Sequence, residues 1–226
     1  MSATVADCAT AERSALVVYE RALARATAGE DATLALRDVH GREHRVDAAG
    51  WCGSVRAGDG GLLDRCGGAT LDVGCGPGRL TRALLAGGRP ALGIDVSAAA
   101  VRLALARGAL ALRRDVFAAV PGQGRWEHLL LADGNVGIGG DPAALLRRCR
   151  DLLAPHGLLH AELEAPGAGS WAGTATLRDE GGGPAAPLRW AQVAADDLAP
   201  LARAAALVIR TTWTEAGRWF ATMTPA

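Results

Sequence analysis

The chain has 226 residues, half of them hydrophobic, which is enough to bury one substantial core. All 24 of its basic residues are Arg and they balance 24 acids, so no charge field draws it to nucleic acid, and no apolar run nears the roughly 20 residues that span a bilayer. The five cysteines, Cys8, Cys52, Cys66, Cys75 and Cys149, are scattered, odd in number and without a C-x-x-C pair. They predict free thiols in a reducing, cytoplasmic compartment, with neither a disulfide framework nor a metal site, and the N-terminus shows no signal-peptide core.

Residues 11–28 place Leu16, Tyr19 and Leu23 at helical spacing and stop at Gly29, an amphipathic helix. Thr33 to Arg37 and Glu43 to Val46 flank a turn at Asp38 to Gly41, a hairpin. Helix and hairpin, within residues 1–60, are expected to form a lid, in which Tyr19, His40, His44 and Trp51 serve packing more often than chemistry. A loop from Trp51 to Gly61 and a short helix through Leu62, Leu63 and Cys66 lead into the remainder, 61–226.

Residues 70–79, Thr-Leu-Asp-Val-Gly-Cys-Gly-Pro-Gly-Arg, run an apolar strand into a glycine turn that opens a helix, the build of a nucleotide-binding loop. The spacing is G-x-G-x-G, and Arg79 stands where a dinucleotide fingerprint needs its third glycine. That disfavours a nicotinamide oxidoreductase, and Asp72 adds a carboxylate suited to a cationic amino group. Leu80, Leu84 and Leu85 form a helix face ended by Gly87-Gly88. Ala91 to Asp95 is a second strand ending in an acid, placed to accept from both hydroxyls of a ribose, and Ser97 caps the next helix. Leu112 to Val116 is a third short strand with Asp115 at its end, able to accept from an adenine amino group.

Trp126 to Leu131 reads as a fourth strand buried on both faces, emptying into the glycine-rich loop Ala132 to Pro142. Asp141 caps a helix with Pro142 at its first position and Leu145, Leu146, Cys149, Leu152 and Leu153 as its apolar stripe. A fifth strand, Gly157 to Glu164, puts His160, Glu162 and Glu164 on one face, with His160 and Glu162 expected to pair. Thr174 to Arg178 and Leu188 to Val193 form an inserted hairpin around Gly181-Gly182-Gly183, then a helix runs from about Asp197 to Leu207. Val208 to Trp213 and Trp219 to Met223 pair last.

This rhythm predicts an α/β fold, a doubly wound, Rossmann-like sheet with helices on both faces and an N-terminal helical and hairpin lid. Leu71-Asp72-Val73-Gly74-Cys75-Gly76-Pro77-Gly78 resembles the first motif of the class I S-adenosylmethionine-dependent methyltransferases, and the resemblance covers roughly residues 60–165. It implies a mostly parallel, seven-stranded sheet. The loop with Gly74, Cys75, Gly76 and Gly78 would hold the methionine part of the cofactor and Asp95 the ribose. Asp115 and Val116 would flank the adenine, and Asp72, Val96 and Ala132 complete the cofactor set. The implied reaction moves the methyl group of S-adenosylmethionine to a small-molecule acceptor by in-line displacement. Asp133, Asn135 and Glu164, beyond the fourth and fifth strands, are the candidate catalytic residues, against ordinary Asx-turn chemistry beside Gly134 for the first two. Other chemistry on the same sulfonium, or a partner protein that binds the nucleoside without turnover, are the alternatives. The loop after the fourth strand departs from the Asn/Asp-Pro-Pro-Tyr/Phe motif, which argues against DNA and protein amino groups as acceptors.

Overall fold

The computed structural model describes residues 5–226, with side chains from Arg13 onward, so Cys8 lies outside the described side chains. Helix α1 (Val5–Ala28) leads to strands β1 (Thr33–Arg37) and β2 (Glu43–Asp47), then to short helices α2 (Ala49–Cys52) and α3 (Gly60–Asp64). The parallel strands β3 (Thr70–Val73), β4 (Ala91–Asp95), β5 (Ala111–Arg113), β6 (Trp126–Leu131) and β7 (Leu153–Leu163) follow, with helices α4 (Arg79–Ala86), α5 (Ala98–Ala106) and α6 (Pro142–Leu152) between them. Strands β8 (Trp171–Asp179) and β9 (Ala186–Gln192), helix α7 (Leu198–Ala204) and the final pair β10 (Leu207–Glu215) and β11 (Arg218–Pro225) complete the chain.

The main sheet has seven strands in the order β10-β11-β7-β6-β3-β4-β5, all running the same way except β11, which is antiparallel to both its neighbours. Strand order reverses between β3 and β6, so a crevice opens beyond their carboxyl ends, where ligands bind in open α/β sheets. Both strands are central, and the burial of every residue of β3 and of Leu129, Leu130 and Leu131 is the burial that covering helices on both faces produce. Leu71, Val73, Leu129, Leu131, Leu159 and Leu163 pack with α6 and α7 on one face, while Leu130, Ala132 and Phe220 meet Leu62, Leu63, Cys66, Leu80 and Leu84 on the other.

The two hairpins expected as separate features are one sheet. β1 pairs with β8 over Leu34 to Arg37 and Thr176 to Asp179, giving a four-stranded antiparallel layer β2-β1-β8-β9. Helix α1 lies on it through Ala15, Val18, Ala22 and Leu23, against Leu34, Leu36, Trp171 and Leu177. Asp38 holds the β1–β2 turn by accepting from the backbone N–H groups of His40 (2.8 Å) and Arg42 (2.9 Å). Among the described residues no helix is long and apolar enough to cross a membrane.

Three local expectations need correction. β5 ends at Arg113, and Asp115 sits beyond it, exposed, accepting from the Phe117 N–H (2.9 Å) in an Asx turn. The run Arg113-Arg114-Asp115 offers no buried alternation to extend a strand. Val116 packs into the main core, not into the crevice. His160 and Glu162 do not pair, because each meets a closer partner on a neighbouring strand: His160 bonds His128 and Thr222, and Glu162 bonds Arg218.

Candidate active site

The glycine turn is built as its sequence requires. Gly74, Gly76 and Gly78 have φ of 71°, 53° and 81°, which side-chain-bearing residues rarely adopt. A Cβ at Gly78 would lie 2.8 Å from that of Ala109, so this glycine lets the turn and α4 close onto α5. Asp95, buried at the end of β4, accepts from the Gly76 N–H (3.0 Å) with one oxygen and the Ser97 N–H (2.8 Å) with the other. It ties the turn to the next strand end, and the further lone pairs of the carboxylate remain for hydroxyl donors. Burial raises its pKa, partly offset by the hydrogen bonds from Ser97 and Gly76. Ser97 caps α5 by accepting from Ala100 (3.1 Å), and its hydroxyl donates to Glu20 of α1 (2.8 Å).

Asp72 is fully enclosed in β3 and accepts from the Thr81 hydroxyl (2.7 Å), linking strand to helix beneath the turn. Burial raises it to about 6, and the charges of Asp133 and Asp95 act in the same direction. Cys75 is buried beside Gly93, where a Cβ would meet its sulfur at 2.5 Å, and burial pushes its thiol far above the ordinary range, so it is packing and not a nucleophile. Tyr19 of α1 closes the turn from above: its hydroxyl lies 3.2 Å from where a Gly76 Cβ would be, and its ring meets Trp51 edge-on at 5.7 Å. Burial, then Asp95, raise the phenol well above its usual value. On the outer side Val96 and Phe117 are exposed, and the Phe117 ring adjoins Gly139.

Across the crevice, Asp133 has φ 55° and a carboxylate held by Arg79 (2.6 Å), Arg218 (3.5 Å) and Arg56. Arg79 and Arg218 (2.8 Å) also grip the buried Asp59, and Arg218 takes Glu162 (2.8 and 2.7 Å). Glu162 in turn accepts from the Asp133 N–H (2.6 Å). Three guanidiniums thus meet three carboxylates, and Asp133 is a post that fixes the loop after β6. Asn135 donates to the Val73 and Gly74 carbonyls (both 2.9 Å), which steadies the turn. Ala132, just before Asp133, is buried in the core on the α3–α4 face.

Beside this network lies a cavity of about 190 Å³, lined by Gly134, Val136, Glu162, Glu164, Gln192, Arg218 and Trp219 among others. Glu164 accepts from Gln192 (3.2 Å), whose carbonyl accepts from the Trp171 indole (2.5 Å), so the inserted hairpin positions this acid. The structure therefore brings Asp72, Gly74, Cys75, Gly76, Gly78 and Asp95 together with Ala132, Asp133 and Asn135, and puts Glu164 at the open cavity. Asp115 lies exposed in the loop after β5, whose Arg114 N–H donates to the Asp95 carbonyl (2.9 Å), while Val116 packs into the core. Sequence reasoning missed Glu20, Arg56, Gln192 and Arg218, which come from distant segments and carry no local motif.

The strand order and the switch-point loop define a class I methyltransferase fold. The family model described as methyltransferase domain matches residues 70–157, the segment carrying the glycine turn, Asp95, Asp133 and Asn135. It is similar in fold to an S-adenosylmethionine-dependent methyltransferase from Bacteroides fragilis, solved with S-adenosyl-L-homocysteine (TM-score 0.74, 19% identity, covering 92% of this chain and 94% of that one). Similar too are the CcbJ methyltransferase of Streptomyces caelestis (0.57, 16%, 73% and 87%) and the Burkholderia thailandensis 1,6-didemethyltoxoflavin-N1-methyltransferase, solved with 1,6-didemethyltoxoflavin and S-adenosylhomocysteine (0.51, 18%, 70% and 71%). No curated protein matches the chain in sequence.

Proposed function

We propose that this protein transfers the methyl group of S-adenosylmethionine to a small-molecule acceptor seated in the cavity beside Glu164. The observation that carries the reading is the Asp95-tethered glycine turn, which Asn135 joins to the loop after β6 whose Gly134 and Val136 line the cavity. The residues suit the cofactor. A cradle of three positive-φ glycines admits a close ligand, Asp95 keeps lone pairs for a ribose, and exposed Val96 and Phe117 offer apolar faces to a purine. Asp72, raised by burial, would return toward the carboxylate range beside a cationic amino group.

When bound, the cofactor supplies a methyl group already activated by sulfonium charge. The chain's task is then positional, holding a nucleophile about 3 Å from the methyl carbon and in line with the breaking bond. Glu164, with Gln192 orienting its carboxylate, accepts the acceptor's proton as an adjunct. A cavity of about 190 Å³ lined by Glu164, Arg218 and Trp219 suits a small planar molecule with a polar edge and excludes a nucleic-acid strand. Four described cysteines are free thiols, which supports a reducing, cytoplasmic setting.

The test is incubation with S-adenosylmethionine and a panel of phenols, amines and carboxylates, with mass spectrometry for a product heavier by one CH₂. Calorimetry showing no binding of S-adenosylhomocysteine would remove the reading, and a product of other mass would reassign the chemistry. With an acceptor in hand, Glu164→Gln is expected to lower kcat by about 100-fold, the lower end for a general base, with KM for the cofactor unchanged. An unchanged kcat would leave Glu164 a wall of the cavity only.

A further inference from the structure

A second cluster lies on the main sheet, between the start of β3 and the middle of β6 and β7. Cys66 follows α3, His128 is the third residue of β6, opposite Thr70 where β3 begins, and His160 lies on β7 opposite Thr222 of β11. All three side chains occupy the sheet face covered by α3 and α4. Their ligand atoms lie within 4.8 Å of one another. His128 Nδ1 and His160 Nε2 are 3.2 Å apart, with ring planes 15° from parallel. Cys66 and His160 are buried and His128 is half-buried, which leaves one side open to entry.

We propose that Cys66, His128 and His160 bind a divalent ion of the zinc class, with a water at the fourth position on the His128 side. Two imidazole nitrogens at about 2.0–2.1 Å from a tetrahedral zinc stand roughly 3.3 Å apart, so the observed 3.2 Å separation is already the edge of such a tetrahedron. The corresponding nitrogen-to-sulfur edge is roughly 3.5 Å, which asks the Cys66 sulfur to leave its bond to the Leu62 carbonyl (3.3 Å) and turn inward by about an ångström. A thiol with two imidazoles selects zinc-class ions over magnesium or calcium.

The surroundings suit this use. His160 Nδ1 is 2.9 Å from the Thr222 hydroxyl, and with its proton donated there Nε2 presents its lone pair to the ion, the orienting contact that metal-bound histidines commonly have. His128 places its proton on Nε2 and turns Nδ1 inward. Binding then releases one proton, from the Cys66 thiol, and forms three bonds to the metal without redox change. The charged groups that act on the cluster are of both signs: Arg65 toward His160, Glu127 toward His128, and Asp72 with Arg89 toward Cys66. The ion would clamp the α3–β3 connection to β6 and β7, two residues before Glu162 on the same face of β7. No local spacing reveals the site, since its residues are separated by 62 and 32 positions.

Untagged protein stripped with a chelator and titrated with Co²⁺ is expected to take up one ion per chain with a thiolate-to-cobalt charge-transfer band, lost on adding Zn²⁺. Cys66→Ser and His128→Asn should abolish stoichiometric uptake, and Thr222→Val should weaken it about 10-fold or more. Cys52→Ser should leave it unchanged. His128 is half-buried, so its variant tests the site even if Cys66→Ser fails to fold, and zinc should raise the melting temperature of the native chain but not of His128→Asn. Absence of the charge-transfer band in the native chain, or its persistence at full stoichiometry in His128→Asn, overturns the proposal.

Discussion

Replacing Asp95 with alanine is expected to weaken binding of S-adenosylhomocysteine by at least about 100-fold. A hydrogen bond to a charged group contributes about 1.5–3 kcal/mol, so two ribose hydroxyls on this carboxylate amount to about 3 kcal/mol or more, and every 1.4 kcal/mol is tenfold. The same side chain holds the Gly76 N–H at 3.0 Å and the Ser97 N–H at 2.8 Å, so its loss also frees the glycine turn. Asp95→Asn separates the two contributions. An amide keeps one acceptor but must aim its NH₂ at a backbone donor or at the ribose, and about a 10-fold loss is expected. Ser97→Ala is the control, since it removes the α5 cap, at a cost of about 1 kcal/mol of stability, and leaves the carboxylate in place. Calorimetry measures the affinities and circular dichroism melting the fold. Asp95→Ala binding within threefold of the native chain would take the ribose, and with it the whole crevice, out of the assignment.

The parts of this site that were legible in the sequence are those whose physics is local. A glycine needing φ above zero, Asp95 closing a buried strand, Ser97 and Asp141 accepting from the first turn of a helix are all decided within a few residues, and each stands where the pattern put it. The main sheet was legible for the same reason, through short apolar runs alternating with helical stripes. The pairing of β1 with β8 was not, because a hairpin's pattern says which face is apolar and nothing of which distant edge will cover it. Asp133 shows the same limit at the site. Its place beyond β6 was readable, whereas the three guanidiniums that meet it come from residues 56, 79 and 218, which share no motif. The end of β5 was misplaced because a strand of three residues carries too little alternation to mark its own end.

Arg79→Met is expected to destabilise the fold by about 3 kcal/mol, the lower end of the range for removing one partner of a buried ion pair. Arg79 is only 3% exposed, burial pulls its guanidinium below its usual value, and it joins Asp59, itself enclosed, to Asp133 across the crevice. The lower end applies because each acid keeps another cation, Arg218 for Asp59 and Arg56 for Asp133. What is lost is the single side chain that bridges both, and the loop after β6 loses its anchor to α4. Arg79→Lys should recover little, since one ammonium cannot reproduce a fork whose two arms end on different carboxylates. Arg79→Met with Asp59→Leu should be more stable than Arg79→Met alone, because the residual cost is an acid stripped of part of its pairing in a dry place. Urea unfolding midpoints give the order: native, then the double variant, then the single. If Arg79→Met falls within about 1 kcal/mol of the native chain, the crevice is solvated enough to screen these charges, and Asp133 is then free to act on a substrate.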